Sequence, residues 1–480
     1  MSAPMALPSH LLKDLPGLET AFDEGAMRGH LQSAIFGAGS RWTLERCEPD
    51  RPMFLPGEGC TVQYDCRVKD AADSELYDPI VVGRVFHDLP SAATYMRRKL
   101  APLVERVRHR ADLATFAKPA ALIEPLNMVL HVWPLDGEMP SLVDATDPRH
   151  MTGLLAKALG SWLVPAACRV DLVSYRRRSR CVLRYTLTGR APAGGEPPRI
   201  VLYGKLTPRG DAVVYGEGLS ELRAHFEARR EGDTIRIPRS FGWRPELGMA
   251  LLEEVPGEAK VGTALRARLK GKPPGDGPSL EDMLSRCVRV AMALHGSGLQ
   301  LGRERTLEQR LQDLGNEMEI TRLFSAEFAE RAAGWLARLT ELAHGIPAEP
   351  LRLCHGDFKY AQVFFDGDQV GLVDLDNICQ AEPALDLGQF SAYLRTQARK
   401  NPRAESVSAT LEHELCDRFL DEYATGMGLS AEDRQRLAAR ATLHEVASLV
   451  RMALHSQQKF KQTRLDSTSA LIDERLGGLS

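Results

Sequence analysis

CHGDFKYAQVFFDGDQVGLVDLDNICQAEPALDLG, Cys354 to Gly388, decides how this chain is read. A short apolar strand, LRLC from Leu351, delivers the backbone into a loop at His355-Gly356-Asp357. VFF, the turn DGDQ and VGLVDLD then make a hairpin whose second arm ends at Asp374 and Asp376. Carboxylates are thereby gathered at one loop edge. Phosphoryl transfer from a nucleotide asks for such a group, because magnesium takes hard oxygen ligands and a separate carboxylate must receive or orient the acceptor hydroxyl.

Around this β interruption the second half of the chain is helical. LKGKPPGDGP, from Leu269, is a linker. Ser279 with Asp282 three residues on is an N-cap pattern, followed by Leu280, Met283, Leu284, Cys287, Val288, Ala291 and Leu294 at helical spacing. A second amphipathic helix is predicted from Ala326 to Gly345, ahead of Pro347, with Phe328, Trp335, Leu336, Leu339 and Leu342 on its apolar face.

The first half contains a duplication. FLPGEGCTVQYDCRV, from Phe54, resembles YRRRSRCVLRYTLTG, from Tyr175. VVGRVF, with Gly83 and Arg84, resembles VLYGKL, with Gly204 and Lys205, and Met128 resembles Met249. Each partner lies 121 positions after the first, one register held over some 75 residues. Both copies predict a small antiparallel sheet with one packed helix: strand, turn, strand, loop, strand, helix and a closing strand near Pro-Gly or Asp-Gly. In copy two these are VDLVSY, the basic turn RRRSR, CVLRYTL, the loop APAGGEPP, RIVLYGKL, a helix near Ser220 to Arg230, and MALLEEV.

With 480 residues, two or three domains are the expectation. The boundaries fall at 1–155, 156–260 and 261–480. Composition is ordinary for a globular chain, 44% hydrophobic and 26% charged, which excludes a largely disordered or fibrous protein. The 61 basic residues nearly balance the 64 acidic ones, so no global field draws the chain to nucleic acid or to an anionic membrane. Neither is expected as a partner. Nine scattered cysteines form no CxxC pair or zinc spacing and read as reduced thiols. With no apolar run long enough to span a bilayer and no basic-apolar leader, a cytoplasmic protein is expected. Oligomeric state is not readable.

HGDxxxxQ, then DxD twelve residues after the glutamine, then Pro383-Ala384-Leu385-Asp386-Leu387, resembles the catalytic stretch of the aminoglycoside phosphotransferase and choline kinase superfamily. The resemblance covers roughly residues 165 to 460. It implies an α+β, protein-kinase-like bilobal fold, with a small antiparallel β lobe and a larger α-helical lobe, here preceded by a degenerate N-lobe-like repeat. It also implies a kinase that uses ATP and Mg2+.

By the same resemblance Asp357 is the base that orients the acceptor hydroxyl, and Asp374 the main magnesium ligand. Gln362 falls where the family usually has asparagine, the second metal contact. Lys359 matches the catalytic-loop lysine of serine/threonine kinases and would neutralise the transferring phosphate, or is a solvated lysine. Asp376 takes no firm role. Asp386 would pin the loop through backbone N–H groups, with His355 and His295 as scaffold residues.

On the nucleotide side, the resemblance implies that Lys205 reaches the phosphates and Glu221 pairs with it, Glu217 and Glu227 being alternatives. The turn RRRSR, with Ser179, would cover the phosphates, and the backbone at Glu254 and Val255 would face adenine. In copy one the positions matching Lys205, Glu221 and Glu217 are Arg84, Leu100 and Met96. A cation remains without a paired acid.

The function implied is transfer of the γ-phosphate to a hydroxyl of a small polar molecule: a sugar, an aminocyclitol or an amino alcohol. Asp417, Glu422 or Glu445 would recognise a cationic acceptor, or are solvated helix faces. Two alternatives stand beside it: a Ser/Thr kinase acting on a peptide, supported by Lys359, and a nucleotide-binding regulatory pseudokinase, suggested by Gln362 and the first copy.

Overall fold

A computed structural model describes residues 8–160, 162–190, 196–208, 218–228, 235–272, 277–323, 325–399 and 405–479. The chain divides into two compact units. The first comprises Met1–Gly210, Trp243–Leu251 and Gln458–Phe460, and the second Asp211–Gly242, Leu252–Gln457 and Lys461–Ser480.

In the first unit, β1 (Trp42–Leu55), β2 (Gly59–Asp70), β3 (Leu76–Tyr77), β4 (Ile80–Val85), β5 (Ala120–Ile123) and β6 (Met128–Val132) form one sheet of order β1-β2-β4-β6-β5, with β3 on β2. Copy two contributes β7 (Pro165–Arg176), β8 (Arg180–Gly189), β9 (Arg199–Leu206), β10 (Ile235–Arg236), β11 (Ser240–Arg244) and β12 (Met249–Glu253). All but β10 form a second sheet, of order β11-β12-β9-β8-β7. The two orders are the same topology.

The likeness extends to irregular features. The β1–β2 register slips between Leu44 and Arg46, and the β7–β8 register slips 121 positions on, between Pro165 and Ala167. Asn127 and Gly248 both take left-handed backbone conformations. Their carbonyls accept from the equivalent residues Phe86 and Thr207. A Cβ on Gly83 would overlap Met128 and Tyr64, and one on Gly204 would overlap Met249 and Tyr185. Each glycine thus lets a buried tyrosine and methionine cross its strand. Each tyrosine hydroxyl then donates to an alanine carbonyl in a preceding short helix, Tyr64 to Ala21 at 2.8 Å and Tyr185 to Ala145 at 2.9 Å. The repeat therefore includes helices upstream of the strands. There the matching N-caps Asp23 and Asp147 are 124 positions apart, which breaks the register visible in sequence.

The second unit is mainly helical. Its longer helices are Leu280–His295, Leu307–Arg322, Ala326–Gly345, Ala384–Ala398, Glu405–Gly426, Ala431–Gln458 and Gln462–Gly477. The capping box at Ser279 and Asp282 is formed, and the helix predicted from Ala326 ends at Gly345. Trp335, Leu339, Leu443, Val446 and Leu471 lie in one core between helices. Set among them are two small sheets. One has β14 (Arg352–Cys354) antiparallel to β17 (Cys379–Ala381), with β13 (Arg303–Glu304) parallel on its other side. The other has β15 (Val363–Asp366) antiparallel to β16 (Gln369–Leu372), with β10 parallel to β16. The class is α+β, as expected.

All nine cysteines are free. No helix among the described residues is long and apolar enough to cross a membrane.

Candidate active site

The loop after β14 carries the predicted carboxylate. Gly356 has φ 75°, and a Cβ there would overlap the Asn377 carbonyl, so the bend that presents Asp357 needs glycine. Asp386, in the first turn of Ala384–Ala398, holds this bend. Its Oδ2 accepts from the His355 N–H at 2.7 Å and from His295 Nε2 at 3.1 Å, and its Oδ1 from the Gly356 N–H at 2.9 Å. Burial by itself would raise the Asp386 pKa. The His295 hydrogen bond, the nearby imidazoles and the backbone N–H group outweigh it, holding the carboxyl below its ordinary range. His295, Cys354 and Asp386 lie close enough to suggest a metal cluster. Asp386 has no oxygen to spare, and Tyr423 OH lies 2.8 Å from the other nitrogen of His295, so the cluster is scaffold.

His355 is fully buried. Its Nε2 donates to the Val373 carbonyl at 3.0 Å, tying the loop to the residue before Asp374. Asp374 itself is left-handed at φ 64°, a conformation costing a non-glycine residue about 1 kcal/mol or more and concentrated at functional sites.

Gln362, in a short 3-10 turn ahead of β15, joins the acids. Its Nε2 lies 3.3 Å from Asp357 Oδ2 and 3.3 Å from Asp374 Oδ2, while its Oε1 accepts from the Lys359 N–H at 3.1 Å. The amide nitrogen therefore faces the carboxylates. Presenting the oxygen to a cation would require turning the amide over, with loss of the Lys359 bond. Lys359 Nζ contacts Asp357 Oδ2 at 2.7 Å and sits 5.1 Å from the Tyr393 ring centroid. Asp357, Lys359, Gln362 and Asp374 thus come together, as four oxygen- or nitrogen-bearing groups on one loop and hairpin.

Sequence alone did not signal Arg451, one cation among many on a long helix. Its Nη2 stands 3.7 Å from Asp357 Oδ1. That oxygen is buried and accepts no hydrogen bond from the described residues. Arg305 donates to the Gly356 carbonyl at 3.3 Å. Of the acids considered for a cationic acceptor, Glu445 is buried against Arg395 at 2.9 Å and Arg475 at 3.1 Å. Asp417 and Glu422 pair within their own helix with His413 and Arg418. Their side chains are tied up in structure.

Glu254 and Val255 leave β12 for a segment docked on the hairpin. Gly371 leaves room for the Val255 side chain, and Glu258 exchanges backbone hydrogen bonds with Phe365. Glu221 is an exposed residue in the first turn of Leu219–Ala228. Glu227 is engaged by Arg223 at 2.6 Å, and Glu217 lies outside the described residues. Lys205, 9% exposed on β9 opposite Val182 of β8, belongs to the first unit, as does Ser179.

The basic turn between β7 and β8 is bolted to copy one. Tyr175 OH donates to Asp136 Oδ2 at 2.7 Å, and the Arg178 N–H approaches the same oxygen at 3.3 Å. Arg178 Nη1 meets Glu58 Oε2 at 2.8 Å, and buried Arg177 donates to the Arg51 carbonyl. The Ser179 N–H is taken by the Arg176 carbonyl, leaving its side chain exposed. These bonds hold Arg178 at φ 62°, where the equivalent turn of copy one has Gly57 at φ 72°. Glu58 matches Ser179 in the repeat. It closes on copy one's own cation, Arg84, at 2.7 Å, and Arg84 also stacks on Phe86 and Tyr95. Asp136→Ala is expected to release the turn: amide hydrogen exchange at Arg176–Arg180 should rise about tenfold or more, since two bonds to a buried carboxylate are lost. Unchanged exchange there would show the turn to be rigid without copy one.

Residues 220–438 match the phosphotransferase enzyme family. No curated protein sequence matches the chain. Among solved structures, a choline/ethanolamine kinase family protein from Mesorhizobium loti is similar at 12% identity and TM-score 0.44, over 68% of this chain and 94% of that one. Choline kinase LicA from Streptococcus pneumoniae is similar at 11% identity and TM-score 0.44, over 68% and 99%. A glucosamine kinase is similar at 16% identity and TM-score 0.42, over 70% and 98%. The Asp357–Gln362–Asp374 constellation lies within the residues that match the phosphotransferase enzyme family, and the family resemblance read from the sequence is borne out there.

Proposed function

We propose that the protein is an ATP-dependent phosphotransferase acting on a hydroxyl of a small polar molecule. The observation that carries this is the pair of carboxylates, Asp357 and Asp374, held on one glutamine amide, with Asp357 Oδ1 left unbonded by the described residues. Such an oxygen is the place for an acceptor hydroxyl.

In this reading residues 1–155 are a degenerate N-lobe-like module, 156–260 the nucleotide-binding part and 261–480 the helical part with the catalytic loop. Lys205 and the turn at Ser179 hold the nucleotide phosphates, Glu221 supports Lys205, and the backbone at Glu254 and Val255 faces adenine. Asp374 offers a hard oxygen donor of the kind Mg2+ takes, with Gln362 able to join it once its amide is turned. Mg2+, when bound, neutralises charge on the phosphate oxygens. The acceptor oxygen forms a bond to the γ-phosphorus as the bond from that phosphorus to the bridging oxygen breaks. The bonding pair leaves with ADP, and Asp357 Oδ1 takes the hydroxyl proton. Lys359 offsets negative charge beside the transfer. Most of the rate enhancement then comes from position and electrostatics.

A screen of small hydroxyl compounds with Mg-ATP, scored by ADP release, tests the proposal with the Asp374→Ala variant as blank. Acceptor-dependent release that vanishes in the variant is expected. Nucleotide binding without turnover by any acceptor would instead favour the pseudokinase reading, which the inward-facing Gln362 nitrogen motivates.

A further inference from the structure

The two oxygens of Asp357 meet different company. Oδ2 contacts Lys359 and Gln362, and through Gln362 is joined to Asp374, the side proposed for metal and nucleotide. Oδ1 has Arg451 at 3.7 Å. An acceptor at Oδ1 therefore comes to a side that carries a guanidinium.

More positive charge stands behind it. Arg305 bonds the Gly356 carbonyl beside Asp357. Arg310 is 3% exposed and bonded to neutral groups, His444 Nδ1 and its carbonyl at 3.1 Å and Ser448 Oγ at 2.5 Å. His444 is held neutral by burial, its pKa lowered to about 4. Burial, then the charges of Arg451 and Arg305, push the Arg310 pKa down, against the opposing pull of Tyr393 and Asp357. Among the described residues, none of the three has a carboxylate within ion-pair distance other than Asp357. Glu382 is committed to Arg440 and His444. A buried guanidinium bonded only to neutral groups, as Arg310 is, favours an anion nearby.

We propose that the acceptor is anionic: a hydroxyl compound carrying a carboxylate or a phosphate ester, whose negative group is read by Arg451 while its hydroxyl meets Asp357 Oδ1. This rests on the reading of Asp357 as the base, and it narrows the acceptor class in the direction opposite to an amino alcohol or aminocyclitol. Arg451 is then a specificity-determining residue. Its side chain is 27% exposed, and a guanidinium can make paired hydrogen bonds to a carboxylate or phosphate.

The experiment offers a small-metabolite extract, split on an anion exchanger, to the full chain with Mg-ATP and follows ADP release against Asp374→Ala. Activity confined to retained fractions is expected. Prior treatment of those fractions with a phosphatase separates the sources, abolishing activity for a phosphate ester and sparing it for a carboxylate. For the active compound, Arg451→Gln should raise KM about tenfold or more, with KM for ATP within about twofold and partial rescue in Arg451→Lys. Activity in the unretained neutral or cationic fraction would overturn the inference, as would an anionic acceptor whose KM ignores Arg451→Gln. Absence of Asp374-dependent release in every fraction is a different result: it removes the phosphotransfer reading itself, and this inference with it.

Discussion

Asp357→Asn is expected to reduce kcat by between about 10²- and 10⁴-fold, the range in which a positioned proton acceptor contributes. The substitution preserves shape and leaves an oxygen or nitrogen for Lys359 and Gln362 to face. What disappears is the ability of Oδ1 to take the acceptor proton as the new bond to phosphorus forms. KM for ATP should change little, because Asp357 is proposed to meet the acceptor rather than the nucleotide. Steady-state ADP release by wild type and variant, at saturating acceptor, reads this directly. A loss smaller than about tenfold would mean that another group receives the proton.

Asp386→Ala carries the largest expected cost to the fold. The carboxylate is fully buried and simultaneously accepts from two successive backbone N–H groups and from His295. Removing it strands three buried donors, and loss of one member of a buried charged network costs about 3–5 kcal/mol. The His355–Asp357 bend would lose its anchor, so activity should fall with stability. Urea unfolding of the full chain measures the shift. The sign with pH follows from the lowered pKa. The native carboxyl stays ionised where the unfolded one, near 3.8, has taken up a proton. Its contribution is therefore present above pH 3.8 and lost as the pH falls below that value. The gap between wild type and variant should narrow on acidification; a constant gap would show that the carboxylate's charge is not what holds the loop.

Copy one is closed where copy two is proposed to act. Its cation, Arg84, is neutralised by Glu58 and covered by Phe86 and Tyr95, so the feature that in copy two is proposed to meet phosphates is closed on itself. Meanwhile Glu58 and Asp136 reach the β7–β8 turn of copy two. Copy one thereby holds the β7–β8 turn of copy two.

The sequence was sufficient wherever the determinant is local. The strand and loop from Leu351, the capping box at Ser279 and the helix end at Gly345 depend on residues a few positions apart, and the structure has them where the pattern puts them. The hairpin also forms, but its second arm stops at Leu372, and Asp376 sits in a 3-10 turn rather than on the strand. The duplication was legible because Tyr64, Gly83 and Met128 must recur together for a strand to admit the tyrosine and methionine, so Tyr185, Gly204 and Met249 keep the same spacing. The upstream helices of the repeat were not, since helix faces tolerate substitution and a shifted register.

What only the tertiary structure decided is charge. Glu445, an apparent candidate for an acceptor, is buried against arginines, and Arg451, an apparently ordinary helix cation, stands 3.7 Å from Asp357. A side chain's type is written in the sequence. Its partner comes from elements about 30 to 94 residues away, brought together by apolar faces that carry no information about the charges they align.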